Sequence, residues 1–291
     1  MHCNVFFLNF ALKLGGSRGK EPTLSMDLGI KTSVKERIIG FVWQHLWLLV
    51  SLFVLASGVS LCVRSDLGSS VISSAPYAFT IAGEEGLAPG WSLGMYTNIL
   101  NVLLVAGQIV VLRKKFQILQ LLQLFVGIIF GVFIDMSMAL TSSLTYDDLG
   151  AKLVLMITGS TLMALGVAME IKCASITMPG EGLPAALSKL TGKPFANMKI
   201  CVDISLVALA LIASYMFFGR WMWNVVGVGT LFAMLYIGIA VKVISRHLGW
   251  FDRLLGYRPG FRRYLYGLAR YLFQNKDKKS PNKLGLRQNE F

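Results

Sequence analysis

Residues 178–199 read Met-Pro-Gly-Glu-Gly-Leu-Pro-Ala-Ala-Leu-Ser-Lys-Leu-Thr-Gly-Lys-Pro-Phe-Ala-Asn-Met-Lys. The stretch is too polar and too broken by proline and glycine to cross a bilayer, yet it lies between two segments long and apolar enough to do so. Residues 66–80 occupy the same place in the first half of the chain. That pair of interruptions decides the fold.

Outward from it, the composition is that of an integral membrane protein. Of 291 residues, 55% are hydrophobic and 15% charged, and the mean hydropathy is +0.62, above what a soluble domain carries. The net charge of +13 therefore calls for a membrane explanation before a nucleic-acid one, and no nucleic-acid partner is expected. Cys3, Cys62, Cys173 and Cys201 form no C-x-x-C pair and read as small buried thiols. His2, His45 and His247 are scattered, so no metal site is expected. The sequence has no Walker-type loop, H-E-x-x-H helix or G-x-S-x-G elbow. Neither a cofactor nor an enzymatic activity is expected.

Six spanning helices are predicted, over residues 41–63, 91–112, 116–140, 153–171, 200–218 and 221–243. Residues 1–40 form an N-terminal arm whose short apolar run lacks the charged start of a signal peptide, and Met26 is an alternative start. Residues 41–140 and 141–245 make two three-span units, and 246–291 a basic tail. Six of the 28 Lys and Arg lie in the arm, three in the second connection, four in the fourth and twelve from Lys242 onward, against one in each remaining connection. Because basic residues of short loops stay on the cytoplasmic side, both termini are expected there, in a bacterial inner membrane. In the tail, Phe261, Leu265, Leu268 and Leu272 recur at helical spacing, with Arg262, Arg263 and Arg270 on another face. This is the pattern of a helix lying among anionic headgroups.

The two halves can be superposed. Gly58-Val59-Ser60 matches Gly166-Val167-Ala168 at an offset of 108 residues, which also lays Pro76 on Pro184 and Thr80 on Ser188. Val126-Gly127 and Phe130 match Val228-Gly229 and Phe232 at 102. With three spans per half, the second half must be upside down relative to the first, as in many transporters. The expected fold class is an all-α polytopic membrane protein of six transmembrane helices, arranged as two inverted three-helix repeats, each with a broken or re-entrant half-helix. Irregular backbone at membrane depth requires protein or a water-filled cavity to satisfy it. Ser65, Asp66, Ser69 and Ser70 in one half, and Thr177 and Gly180 in the other, are candidate caps for the half-helix starts. Two starts facing each other would favour an anion or a carboxylate. The alternative is a pair of amphipathic helices lying flat on each leaflet.

Intramembrane carboxylates are functional candidates by cost. Asp203 can pair with Lys199 at i, i+4, and Glu170 lies close to Lys172, so both read as interfacial ion pairs; Asp135 has no partner in its own helix. Asn98 and Asn101 either line a polar path or bond neighbouring helices, and Gly127 with Gly131 forms a close-packing face. Trp43, Trp47, Trp91, Trp221 and Trp223 fall near span ends as anchors.

The stretch Gly180-Glu181-Gly182-Leu183-Pro184-Ala185-Ala186-Leu187-Ser188 to Lys193-Pro194-Phe195, with Lys199 and Asp203 beyond, resembles the bacterial YczE/YyaS/YitT family of integral membrane proteins. Asp66-Leu67-Gly68-Ser69-Ser70 to Ala75-Pro76 is similar to the region after that family's first span. The resemblance implies a polytopic inner-membrane protein and no particular activity. The leading expectation is a gradient-driven carrier of a small solute, anionic or carboxylate-bearing, with Ser69, Ser70, Pro76, Asn98, Gly180, Glu181, Gly182 and Pro184 lining its site. Asp135 and Asp203 are the candidate ion or proton couplers. The other reading is a non-transporting accessory protein that recruits a cytoplasmic partner through the tail. Oligomerisation is left open.

Overall fold

In a computed structural model, the chain is described over residues 34–255 apart from positions 114, 115, 117, 145, 174 and 175. The N-terminal arm to residue 33, and the tail face of Arg262, Arg263 and Arg270, lie outside the described residues. Nine α-helices are described: α1 Val34–Arg64, α2 Val71–Glu84, α3 Leu93–Leu112, α4 Leu122–Leu140 behind a 3-10 turn at Ile118–Leu121, α5 Leu149–Cys173, α6 Pro179–Thr191, α7 Phe195–Phe218, α8 Val228–His247 and α9 Gly249–Leu255. Six are long and apolar enough to cross a membrane: α1 over Val42–Arg64, α3, α4, α5, α7 and α8. Their outward faces carry large apolar side chains, with Val102, Val110, Phe125, Val132 and Leu235 all more than half exposed. In water such a surface would aggregate; against lipid tails it has no such cost. The protein is a multi-pass membrane protein. The last helix, α9, follows α8 after one residue and stands in a separate unit.

The first unit is built around the crossing of α1 and α5, where glycines let two backbones approach. A methyl group at Gly58 would lie 2.6 Å from the Gly159 carbonyl and the Met163 amide nitrogen, and one at Gly166 would lie 2.8 Å from the Leu55 Cα. Around this pair, α4 packs on α1 and α8 on α5; α2 lies between α7 and α3, and α6 between α3 and α7. On α4, Gly127 sits under Asn101 and Gly131 under Asn98, so the G-x-x-x-G face is used for close approach.

The sixth span departs from expectation. Its helix begins at Val228, and residues 221–227 form an irregular turn. The reason is tertiary: the Val225 carbonyl accepts from both the amide and the hydroxyl of Ser69 at 3.1 and 2.9 Å, and the Gly229 amide donates to Leu67 at 2.8 Å. The Trp221 indole donates to the Val226 carbonyl at 2.7 Å. A helix through this segment would have used those carbonyls internally. Cysteine placement also departs in part: Cys62 and Cys173 are buried thiols, whereas Cys201 is exposed.

Candidate functional site

The two short helices begin where the sequence is most broken. Before α2 the chain takes left-handed backbone at Asp66 (φ 56°) and Gly68 (φ 119°), which turns it from the end of α1 inward. Of the expected caps, Ser70 is the N-cap of α2, although its side chain caps no amide; its hydroxyl lies 2.7 Å from that of Ser73. Ser69 holds the turn to Val225 and Asp66 bonds Lys152 at 3.1 Å. Ser65 bonds the carbonyl of Cys62. For α6 the N-cap is Met178, with Pro179 at the first helical position, not Thr177 or Gly180. That position suits proline, whose missing N–H would have had no helical acceptor there.

The starts of α2 and α6 meet. A methyl group at Gly180 would lie 2.5 Å from Ile72 Cδ1. Val71 and Ile72 from α2, with Leu183 and Leu187 from α6, pack on a cluster of Leu100 and Leu104 of α3 and Val202 and Leu206 of α7. Leu104 and Leu206 stand near the middle of their helices. Both short helices carry a buried internal proline, Pro76 and Pro184. A proline has no N–H to give the carbonyl four residues earlier. Those carbonyls belong to Ile72 and Gly180, the two residues that touch. The junction thus combines helix-start N–H groups with two carbonyls denied their ordinary helical donor.

Polar groups line α6 on one side. Gln108 and Gln123 bond each other at 3.1 Å, and the Gln108 amide donates to the Pro179 carbonyl at 3.4 Å. A methyl group at Gly182 would meet both glutamines at 2.5–2.8 Å, so glycine is what admits them to the helix. Glu170, 3% exposed on α5, accepts from the Met178 amide at 2.8 Å through Oε1, while its Oε2 is buried with no hydrogen-bond partner among the described residues. Glu181 lies within electrostatic reach of Glu170, Lys199 and Asp203. Burial raises the Glu181 carboxyl above the usual carboxylate range; Lys199 draws it back down and Asp203 pushes it up. Lys199 and Asp203 pair at 2.7 Å.

The structure therefore brings Gly180, Glu181, Gly182 and Pro184 to the junction together with Ser70 and Pro76, while Ser69 is committed to its loop. Asp203 stands in the carboxylate group but is engaged by Lys199. Asp135 stands apart: one oxygen accepts from Ser92 at 2.6 Å and the other from the Gly94 amide at 2.8 Å, so it caps the start of α3, where a negative charge is favoured. Asn98 lies along the α3–α4 seam, away from the α6 start; its Oδ1, and both amide atoms of Asn101, are buried without a partner among the described residues. Sequence reasoning missed Gln108 and Gln123, and it gave Glu170 to Lys172 when its carboxylate receives Met178. Residues two apart on a helix do not face one another, which argued against that pairing from the start. Two amides in apolar spans were the available signal for the glutamines. Among the described residues, no group of three or more His, Cys, Asp or Glu could hold a metal ion.

A sequence model of the family described as "Family of unknown function (DUF6198)" matches residues 42–246. The chain is 23% identical over 209 residues to "Uncharacterized protein YyaS" of Bacillus subtilis (strain 168), a similarity covering 70% of this chain and 95% of that protein. The resemblance to YyaS thus stands as a distant one. No solved structure matches the chain.

Proposed function

Since the chain belongs to the DUF6198 family of unknown function, we propose its role from the helix junction: a gradient-driven carrier of a small solute, built from two inverted three-span repeats. The observation that carries the reading is the contact of Ile72 with Gly180 at the starts of two short helices, each with a proline four residues on. Discontinuous helices meeting among spanning ones are how carriers expose backbone groups to solute at mid-depth. Helix pairing supports the repeat. Exchanging the halves turns α1–α4 into α5–α8 and α2–α7 into α6–α3, and all four contacts are present. The starts of α2 and α6, Val71 and Pro179, keep the 108-residue spacing of the sequence matches. The α3–α4 contact has no comparable α7–α8 counterpart, so the halves are similar rather than equal.

With both termini cytoplasmic, as the basic residues favour, α2 approaches the junction from outside and α6 from inside. Glu170 already occupies the start of α6, so an anionic group of the solute fits the start of α2 at Ser70. The accessory reading depends on the tail of residues 246–291, which is described only as far as residue 255, and no described feature favours it.

Currents on a solid-supported membrane test the proposal. Purified protein in proteoliposomes is challenged with amino acids, carboxylates and amines under an inward proton gradient. At least one class should evoke a transient current, and Pro76→Ala and Pro184→Ala, which return a helical donor to Ile72 and Gly180 without strain, should reduce it at least tenfold. Silence from every class, or unchanged currents in both variants, contradicts the carrier.

A further inference from the structure

We infer that Glu170 is the proton-binding group of this protein, its Oε2 taking up and releasing a proton beside the start of α6. The inference deepens the carrier reading by naming the coupling ion, and it replaces Asp135 and Asp203, whose carboxylates are engaged by Ser92, Gly94 and Lys199.

The geometry is that of a carboxyl with one half anchored and one half open. Oε1 accepts the Met178 N–H in either protonation state. Among the described residues Oε2 has no donor, although Glu170 is 3% exposed. An ionised carboxylate with an unbonded oxygen is among the costliest buried groups; protonation of Oε2 removes the charge while leaving the Met178 bond in place. Glu181 on α6 is the titratable group within electrostatic reach of Glu170, and Lys199, the cation near Glu181, already pairs with Asp203 on α7.

Other titratable groups stand on the elements around it. On its own helix Glu170 is followed by Lys172 and Cys173, and Gln44 of α1, next to His45, donates to the Cys173 carbonyl. Helix α8 runs parallel to α5, with Gly229 beside Met156 and Tyr236 bonded to Thr161, so Lys242, Arg246 and His247 lie toward the Glu170 end. None of them is a charge that acts on Glu170. In the coupling step a hydronium ion gives its proton to Oε2, one O–H bond breaking on the hydronium as one forms on the carboxyl, and the reverse transfer to water releases it. Because Met178 is the N-cap of α6, the charge on Glu170 changes the field at that helix start.

Infrared difference spectra of the whole protein in lipid bilayers, recorded between acidic and alkaline pH, test this without any solute. The wild type should show a protonated-carboxyl C=O band that disappears at alkaline pH and shifts in heavy water, and Glu170→Gln should lose it. Identical carboxyl spectra for wild type and Glu170→Gln overturn the assignment. Should Glu170→Gln fail to insert, Glu170→Asp is read in its place: a displaced band supports the assignment and an unchanged one overturns it. The readout is independent of transport. A band present with no solute current removes the carrier and keeps the proton site; currents with no such band do the reverse.

Discussion

Replacing Gly58 by alanine is expected to lower the stability of the protein by about 1–3 kcal/mol, the range for inserting atoms into a packed interior. The added carbon would stand 2.6 Å from the Gly159 carbonyl and the Met163 amide nitrogen. Both are backbone atoms of α5, so no side chain can swing aside and the helices themselves must part. The α1–α5 crossing carries α4 on one flank and α8 on the other, so the displacement spreads to both halves. Gly238→Ala is the control, because a methyl group there meets nothing within 4 Å. Thermal unfolding in a mild detergent should show Gly58→Ala melting well below wild type and Gly238→Ala at or above it. Equal melting of the two variants would mean that α1 and α5 are not in backbone contact.

Gly68→Ala is expected to cost about 3 kcal/mol or more, combining a strained backbone of about 1–3 kcal/mol with hydrogen bonds worth roughly 1 kcal/mol each. Gly68 has φ 119°, and a methyl group on it would lie 2.6 Å from Thr230 Oγ1 and 2.7 Å from the Gly227 amide nitrogen. Forced out of that turn, the loop would lose the Gly229-to-Leu67 bond and the two bonds from Ser69 to Val225. Ser69→Ala removes only the hydroxyl bond and should cost about 1 kcal/mol. In Gly68→Ala, hydrogen exchange at the Gly229 amide should accelerate along with the loss of stability. A Gly68→Ala variant no less stable than Ser69→Ala would contradict this account of the loop.

Much of the architecture was legible because lipid imposes a severe rule: a span must be long, apolar and self-satisfied. Five of the six spanning helices lie close to where apolar length placed them. The sixth did not, because Trp221 to Val226 is as apolar as a helix start, and its carbonyls are diverted by the distant Ser69 together with the side chains of Trp221 and Thr230. Proline and glycine also made the two short helices legible, with Ser70 one of four expected caps of α2 and the α6 cap, Met178, not among those expected. The partner of Asp135 was not legible, since Ser92 and Gly94 lie on another helix and sequence spacing cannot say which helices pair. Glu170 was misread for a related reason. Its partner, Met178, is only eight residues away, but it lies beyond the end of α5, and no periodicity encodes which helix start a carboxylate will meet. Once the prolines are aligned, the residues four before each of them are Ile72 and Gly180, so the junction itself was within reach of the sequence.

The proposed carrier requires that the starts of α2 and α6 form one junction that both sides of the membrane reach in turn. Single cysteines at Ser70, Ile72 and Gly180, in a background with the native cysteines replaced, are labelled with a membrane-impermeant maleimide from either face of oriented vesicles. Ser70 and Gly180 are buried in this arrangement, so their labelling reports opened states. Ser70→Cys and Gly180→Cys should each react from both faces, with Ile72→Cys shielded by an occupant of the junction. If Ser70→Cys reacts from one face only and Gly180→Cys only from the other, the two helices lie on separate surfaces and the junction is not a path.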